Sequence, residues 1–380
     1  MAARPTVGAD LLGASRLALE AVAGVTELVE AVHMTVLNKA IGTPAVRPVA
    51  GVTALVYRGV KGATRLVGSG LDAVLARLVP ELDGAAGWSG RDALVAALNG
   101  VVGDRLAASG NPLAIDLRLR VAGAPGPRIV VLAHGLCMND QQWLRDGHDH
   151  GAFLARELGM TPVYLHYNSG CHISDNGRAL AHALQDLVDH WPVPVASLTI
   201  VAHSMGGLVA RSACHAAQEL GQGWLSRLDK MVFLGTPHHG APLERGGNWV
   251  HLLTDISAYS APFSRLAKLR SAGITDLRHG SVLEQDWRGR DRFAHGLALP
   301  AVVAPPVPCL AIGATLARTP GKHGSDGLVA LDSAHGRHAD ALRCLPFETA
   351  TVCATGHMQL LASPAVATLL GNYLAAPAKG

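Results

Sequence analysis

The stretch that decides the fold is Leu198-Thr-Ile-Val-Ala-His-Ser204-Met-Gly-Gly-Leu-Val-Ala-Arg211. Its first five residues, 198–202, form a short, mostly apolar and β-branched run, which is typical of a fully buried strand. From Met205 onward, apolar and small residues recur at helical spacing. One serine and two glycines separate the two patterns, so the chain has to turn sharply from strand to helix at Ser204.

This turn has the pattern of a nucleophile elbow, G-x-S-x-G, which raises a serine hydroxyl above the edge of an α/β sheet. Gly206 lets the two backbones pass closely, because a side chain there would collide with the neighbouring chain. Ala202 occupies the first small position, where glycine is usual, and we treat it as a tolerated variant. The alternative is an ordinary strand–turn–helix with a chance serine, and the order of residues downstream decides against it.

The composition of the 380 residues indicates one large α/β domain with an appendage. Hydrophobic residues make up 49% and charged residues 16%, and the net charge of +3 comes without a basic cluster, so no nucleic-acid partner is expected. The six cysteines lack C-x-x-C spacing, which excludes zinc ribbons and redox motifs. No apolar segment of a signal peptide follows the first residues, so we expect a cytoplasmic protein.

Residues 1–110 are predicted to form an N-terminal helical region. Valines recur along one helix face at alternating spacings of three and four, at positions 22, 25, 29, 32 and 36. A further helix is predicted from Ser89 up to the Gly110-Asn-Pro112 breaker. Three roles stay open for this region: a layer packed on the catalytic domain, a homodimer interface, or a peripheral membrane contact favoured by its mildly basic middle.

Residues 113–380 are predicted to form the catalytic domain, an α/β fold with a mostly parallel central sheet and helices on both faces. An edge-like strand at 114–121 alternates apolar and polar residues. The later strands are predicted at 129–133, 162–167, 198–202, 230–234, 308–314 and 349–354, and the helices at 175–190, at 205–220 and after Ser363-Pro364.

An insertion at about 241–296 has no strand pattern, and we interpret it as a cap or lid over the elbow. Trp249 and Leu253 are its expected substrate-binding residues, because they belong to an apolar set large enough to line an acyl pocket.

A serine nucleophile needs a base and an acid that orients the base, and elbow-type enzymes place them in the chain order Ser, Asp or Glu, His. Asp326 follows the strand at 308–314 and is flanked by Gly327, while His357 follows the last strand in a small-residue turn. Both positions are at carboxyl ends of strands, where an open α/β sheet places its site. They are therefore preferred to their competitors, Asp332, Asp340, His335 and His338.

The oxyanion that forms on attack of an ester needs two backbone N–H donors. Met205, the residue after the nucleophile, is expected to supply one of them. Leu136, in the loop after the strand at 129–133, is expected to supply the other, because His134-Gly135 closes the strand. His134 is expected to brace this loop and to contact the substrate, and not to act as the base.

Several ordered motifs together resemble the α/β-hydrolase superfamily, and within it bacterial esterases and lipases and the GPI inositol-deacylase-like proteins. The motifs are Val130-Val-Leu-Ala-His-Gly-Leu136, the elbow, Phe233-Leu-Gly-Thr-Pro-His-His-Gly240, Ser325-Asp-Gly-Leu-Val329 and Gly356-His357. The resemblance implies Ser204, Asp326 and His357 as a catalytic triad, with Leu136 and Met205 as oxyanion donors. It covers about residues 113–380 and has no counterpart for the N-terminal third.

Two further motifs have no role in this scheme. Gly235-Thr-Pro-His238-His239-Gly240 carries two histidines, but no acidic or cysteine partner stands at ligand spacing, so no metal and no cofactor are expected. The segment 168–172, Asn-Ser-Gly-Cys-His, follows a strand end and has no assigned function.

The favoured function is a serine esterase or lipase acting on a small-molecule or lipid ester, with a place in lipid metabolism. An acyltransferase would use the same triad, with an alcohol or thiol in place of water. A scaffold that works through its N-terminal helices is the third alternative, and an intact triad argues against it.

Overall fold

The computed structural model describes Gly13, Arg16 and residues 91–241, 271–290, 299–319 and 324–376. The chain divides into two compact units, Met1–Arg91 with Ala108–Ala114, and Asp92–Ala107 with Ile115–Gly380. In the described part of the first unit, the Asn111 side chain donates to the Gly13 carbonyl at 3.0 Å and accepts from the Leu113 amide at 2.9 Å. In the described part of the chain, no helix is long and apolar enough to cross a membrane.

The described residues from 91 to 376 form seven α-helices and seven strands, besides short 3-10 helices. In chain order they are α1 (Arg91–Ala108), β1 (Arg118–Val121), β2 (Arg128–Ala133), α2 (His150–Leu158), β3 (Thr161–His166), α3 (Ile173–Asp189), β4 (Ser197–His203), α4 (Met205–Glu219), β5 (Leu228–Leu234), α5 (Ala272–His279), β6 (Cys309–Ala314), α6 (Leu331–Ala334), β7 (Glu348–Val352) and α7 (Pro364–Ala375).

The strands form one seven-stranded sheet in the order β1-β3-β2-β4-β5-β6-β7. Strand β1 is antiparallel to β3, and every other neighbouring pair is parallel. This is the predicted α/β-hydrolase fold with its mostly parallel sheet. The edge strand predicted at 114–121 is present at the edge, but it is shorter and begins at Arg118.

Helices cover both faces of the sheet because the chain changes direction at β2. The connection from β2 through α2 leads to β3 on one side, whereas the connection through α3 leads back past β2 to β4. Right-handed crossovers in opposite directions put their helices on opposite faces. The change of direction leaves a crevice between the carboxyl ends of β2 and β4, which is where an open α/β sheet binds its ligand.

Residues 92–107 of α1 belong to the compact unit that contains the sheet. Two glycines let α1 pack closely on the segments that carry Cys137 and Asn168. A side chain on Gly100 would collide with Cys137, and one on Gly103 would collide with Asn168. The backbone is non-helical at Val102, so the helix is kinked between them. The Asn168 side chain donates to the Gly103 carbonyl at 2.9 Å and thereby fixes the helix beside the end of β3.

Candidate active site

Ser204 lies in the sharp turn between β4 and α4, with φ 53° and ψ −125°. A non-glycine residue with positive φ in this region is strained by about 1–3 kcal/mol, and such strain persists only where the surroundings impose it. Here buried elements hold both sides of the turn, and the Ser204 amide donates to the Leu234 carbonyl at 2.9 Å. The serine is therefore held in an elbow conformation at the carboxyl end of the central strand.

The small residues around Ser204 are explained by close packing. A Cβ on Gly206 would lie 2.5 Å from the carbonyl oxygens of both Ala133 and His134. Ala202 is fully buried and pairs with Ala133 across the β2–β4 ladder, so a methyl group fits where glycine is usual. The elbow is thus pressed against the loop that follows β2.

Asp326 and His357 form a buried pair, with 2.7 Å between His357 Nδ1 and Asp326 Oδ2. The other carboxylate oxygen, Oδ1, accepts from the amides of Leu328 at 2.9 Å and Val329 at 2.7 Å. The His357 amide also donates to the Asp326 carbonyl at 3.0 Å. Both oxygens of the carboxylate are therefore held by hydrogen bonds, and the Nε2 atom of the imidazole takes no part in this pair.

The residues considered as alternatives to Asp326 and His357 do not take part in this pair. Asp332 is exposed on the short helix α6, and Asp340 is exposed and caps a turn by accepting from the Leu342 amide at 3.0 Å. The ring of His335 is directed to the Ala350 carbonyl, with Nε2 at 3.0 Å. Among these residues, Asp326 is the acid that contacts His357.

One pocket brings Ser204 and His357 together, and its other lining residues are mostly apolar: Gly135, Leu136, Met138, His203, Pro237, Ala241, Leu277, Leu328, Val329 and Met358. Within the described residues, no hydrogen bond joins Ser204 Oγ to the His357 ring. Such bonds are often long in substrate-free enzymes and tighten in the substrate complex.

The loop after β2 carries a backbone amide in the pocket that has no hydrogen-bond partner among the described residues. The Cys137 amide donates to Ser169 Oγ at 3.0 Å, and the Met138 amide donates to the Gly135 carbonyl at 3.4 Å. The Leu136 amide has no partner among the described residues, and Leu136 lines the pocket. Met205 is the first residue of α4, so its amide has no carbonyl partner inside the helix. These are the two amides that the sequence predicted as oxyanion donors.

His134 is fully buried and is not among the residues that line the pocket, which contradicts the expected substrate contact. Its contacts are with the loop. Burial lowers its pKa to about 3, and the neutral ring donates from Nδ1 to the Gly135 carbonyl at 2.9 Å. The ring stacks on Tyr167 at 4.4 Å between centroids, and the Tyr167 hydroxyl donates to the His134 carbonyl at 2.9 Å. Through these contacts, the buried His134 side chain holds the loop in its conformation.

Two residues near the site were missed by the sequence reasoning. Ser169 lies in the segment that had no assigned function, and its hydroxyl accepts from the Cys137 amide. His203, between Ala202 and Ser204, donates from Nε2 to the His357 carbonyl at 3.2 Å. Burial holds the pKa of His203 well below its usual value, so its ring is neutral. The position of His203 inside the elbow motif was the available signal, but its partner could be found only in three dimensions.

The two histidines of the Gly235–Gly240 turn point to different partners. His238 Nδ1 lies 3.4 Å from Arg211 Nη1, whereas His239 Nε2 lies 3.1 Å from the Gly336 carbonyl. In the described ranges, no group of three or more histidine, cysteine or acidic side chains is placed to hold a metal ion. Trp249 and Leu253, predicted to bind substrate, lie outside the described residues.

Comparison with known proteins finds one family model that is similar to part of the chain. Residues 164–304 match the PGAP1-like alpha/beta domain. No curated protein sequence matches the chain.

Solved structures of lipases are similar to the chain. Lipase BlEst2 of Bacillus licheniformis in its propeptide form has 16% identity and a TM-score of 0.45, with coverage of 70% of this chain and 55% of that one. Its mature form has 17% identity and a TM-score of 0.43, with coverage of 68% and 98%. Lipase B of Aspergillus fumigatus has 12% identity and a TM-score of 0.44, with coverage of 69% and 57%. The chain thus spans just over half of the propeptide form and of lipase B.

Proposed function

We propose that this α/β-hydrolase-fold chain is a serine hydrolase that cleaves carboxylic esters, with Ser204, His357 and Asp326 as its catalytic triad. The observation that carries the proposal is one pocket lined by an elbow serine and by a histidine whose Nδ1 is held 2.7 Å from a buried carboxylate. A weak hydroxyl nucleophile needs both partners, a base and the group that orients it.

In the proposed reaction, Ser204 Oγ attacks the ester carbonyl carbon while His357 Nε2 takes the hydroxyl proton. Asp326 keeps the remaining ring proton on Nδ1 and stabilises the imidazolium that forms. The negative charge on the former carbonyl oxygen is stabilised by the amides of Leu136 and Met205. His357 then returns the proton to the leaving alcohol, and a water molecule activated by the same ring hydrolyses the acyl-enzyme.

The side chains lining the pocket favour an apolar acyl group. Apart from Ser204 and the two histidines, every lining residue is apolar or glycine. Such walls gain free energy from burying an acyl chain and exclude water, which strengthens the interactions with the oxyanion. The proposed substrate class is therefore a small-molecule or lipid ester with an aliphatic acyl group.

The test of the enzyme proposal is active-site labelling with a fluorophosphonate probe. We expect the wild-type protein to be labelled and Ser204→Ala to remain unlabelled. Ser226→Ala is the matched control, because its exposed hydroxyl only donates to the Gly223 carbonyl at 2.7 Å, and it should label like wild type. A wild-type protein that does not react, or labelling that persists in Ser204→Ala, contradicts the proposal.

The acyl preference is tested with p-nitrophenyl esters from acetyl to palmitoyl. An apolar pocket predicts kcat/KM that rises with chain length until the pocket is filled. A rate that falls steadily from acetyl onward contradicts the aliphatic assignment while leaving the triad assignment intact.

The remaining sequence expectations are proposals of the same kind. They are the division into a helical region at 1–110 and a catalytic domain at 113–380, the cap at 241–296, a homodimer through the N-terminal helices, and peripheral membrane contact. Residues 249–269, the centre of the proposed cap, lie outside the described residues.

A further inference from the structure

A second cleft, separate from the Ser204 pocket, is lined by basic side chains. We call it the basic cleft and define it by Arg211, His238, His239, His279, His338 and Arg343. Its other lining residues are apolar or glycine, so no carboxylate lines it among the described residues. We propose that the basic cleft binds an oxyanion of the phosphate type.

Arg211 is the first reason for the proposal. Its side chain is buried, and its Nε and Nη2 donate to the Val303 carbonyl at 2.9 and 2.7 Å. Within the described residues it forms no ion pair, although a buried charge is costly unless it is paired. Burial lowers the pKa of this guanidinium to about 10, which still leaves it cationic at neutral pH. A buried, permanent cation beside a cleft without acids favours an anion.

Asp286 is the carboxylate whose charge acts on Arg211, but its hydrogen bonds are already used. Its Oδ2 accepts from the amides of Val282 and Leu283 at 3.0 and 2.9 Å, and its Oδ1 accepts from the Ala301 amide at 3.0 Å. It lies outside ion-pair distance of Arg211, so the guanidinium lacks a direct counterion in the described structure.

His238 supplies a buried donor that has no hydrogen-bond partner among the described residues. An arginine can only donate, so the 3.4 Å contact with Arg211 Nη1 makes His238 Nδ1 the acceptor. Burial keeps the pKa of His238 well below its usual value, so the neutral ring carries its proton on Nε2. Within the described ranges, that Nε2 is buried and makes no hydrogen bond.

Arg343 and His338 add two more donors to the basic cleft. The Arg343 Nη2 donates to the Pro300 carbonyl at 2.7 Å, but its Nε is buried without a partner in the part of the chain that the structure describes. His338 Nδ1 accepts from the Asp340 amide at 3.0 Å, so a neutral His338 also carries its proton on Nε2. Several N–H donors with two guanidinium charges suit the oxygen atoms of a phosphate group, which forms charge-assisted hydrogen bonds with arginine.

The proposed anion site would give a role to the Gly235–Gly240 turn, which had none in the scheme derived from the sequence. Pro237 lines the Ser204 pocket, and the next residue, His238, lines the basic cleft. An anion held by His238 would therefore brace the same turn that forms one wall of the pocket. The proposal does not depend on the esterase reaction.

Binding is tested by titrating inorganic phosphate into the full-length protein by calorimetry, in a chloride buffer of constant ionic strength. We expect one saturable site. Arg343→Gln should weaken it about tenfold, the effect of losing one charge-assisted hydrogen bond. Arg337→Gln is the matched control, because this exposed arginine stands on the same loop outside the basic cleft and should bind like wild type.

A second arm separates a free phosphate from a phosphate on a lipid. Phosphatidylcholine vesicles with and without phosphatidic acid are sedimented with wild type and with both variants. Arg343-dependent binding of inorganic phosphate alone supports a free oxyanion, and Arg343-dependent binding to the phosphatidic acid vesicles supports the site with a lipid phosphate as its source. The proposal is overturned if neither probe binds, or if both variants bind as wild type does or weaken equally.

Discussion

Replacing Gly206 with alanine tests whether the elbow and the loop after β2 work as one unit. The new Cβ would lie 2.5 Å from the carbonyl oxygens of Ala133 and His134, whereas an ordinary contact is 3.4 Å or longer. Because both neighbours are backbone atoms, relief requires the turn and the loop to separate by roughly 0.9 Å. That separation moves the Leu136 amide away from the Met205 amide.

The catalytic cost follows from the length of a hydrogen bond. A donor at about 2.9 Å from the oxyanion would lie beyond about 3.5 Å after such a shift, where little of the bond remains. Losing one oxyanion donor lowers kcat by about 10²–10³-fold. We therefore expect Gly206→Ala to lose that factor in kcat on a p-nitrophenyl ester, with a KM close to that of wild type.

Gly223→Ala is the matched control, because a Cβ there would approach only the flexible Gln185 side chain, no closer than 3.8 Å. Rates are referred to the amount of folded protein, which is measured by circular dichroism and thermal melting. A folded Gly206→Ala protein with kcat within twofold of wild type would refute the reasoning.

Three other perturbations follow from the described geometry. Asp326→Asn should lower kcat by about 10⁴-fold while Asp332→Asn stays within twofold of wild type, because Asp326 contacts His357 and Asp332 does not. Equal losses of kcat in the two variants would contradict this. Gly235→Ala should also lower kcat, since its Cβ would lie 3.2 Å from both Asp326 Oδ2 and His357 Cε1 and 2.8 Å from Leu360. Unchanged kinetics in a folded variant would contradict this tight packing. Burial lowers the pKa of His134 to about 3, so below about pH 6.5 the unfolded chain binds more protons than the folded protein. The free energy of unfolding therefore decreases as the pH falls below about 6.5, by up to about 1.4 kcal/mol per pH unit for this group. Thermal melts should show a smaller loss between pH 7 and 5 for His134→Gln, and an unchanged loss would contradict the assignment.

The elbow could be predicted from sequence because its information is local. A β-branched run, a serine and Gly206 within nine residues specify strand, turn and helix, and the ends of β4 and α4 differ from the predicted ends by one residue or less. The position of Asp326 after β6 also follows from pattern and chain order. These features need no knowledge of which distant residues meet.

The features that escaped prediction depend on contacts between distant parts of the chain. His203 bonds to the carbonyl of His357, and Ser169 bonds to the amide of Cys137. The burial of His134 likewise follows from packing on Tyr167, which no spacing in the sequence reveals. The edge strand was predicted too long because alternation continues where pairing with β3 has already ended.

The packing of α1 on neighbouring residues determines where the chain can be shortened. A protein that begins at residue 113 would lack the kinked helix whose glycines pack on Cys137 and Asn168. The Cys137 thiol is fully buried, and burial raises its pKa to about 12, so alkylating reagents should find it inert while the helix is in place. Removing the helix would uncover a sulfur atom one residue from a proposed oxyanion donor. The alkylation rate of Cys137 therefore measures whether the helix is docked. A shortened protein should begin before residue 91, so that the whole of α1 is kept.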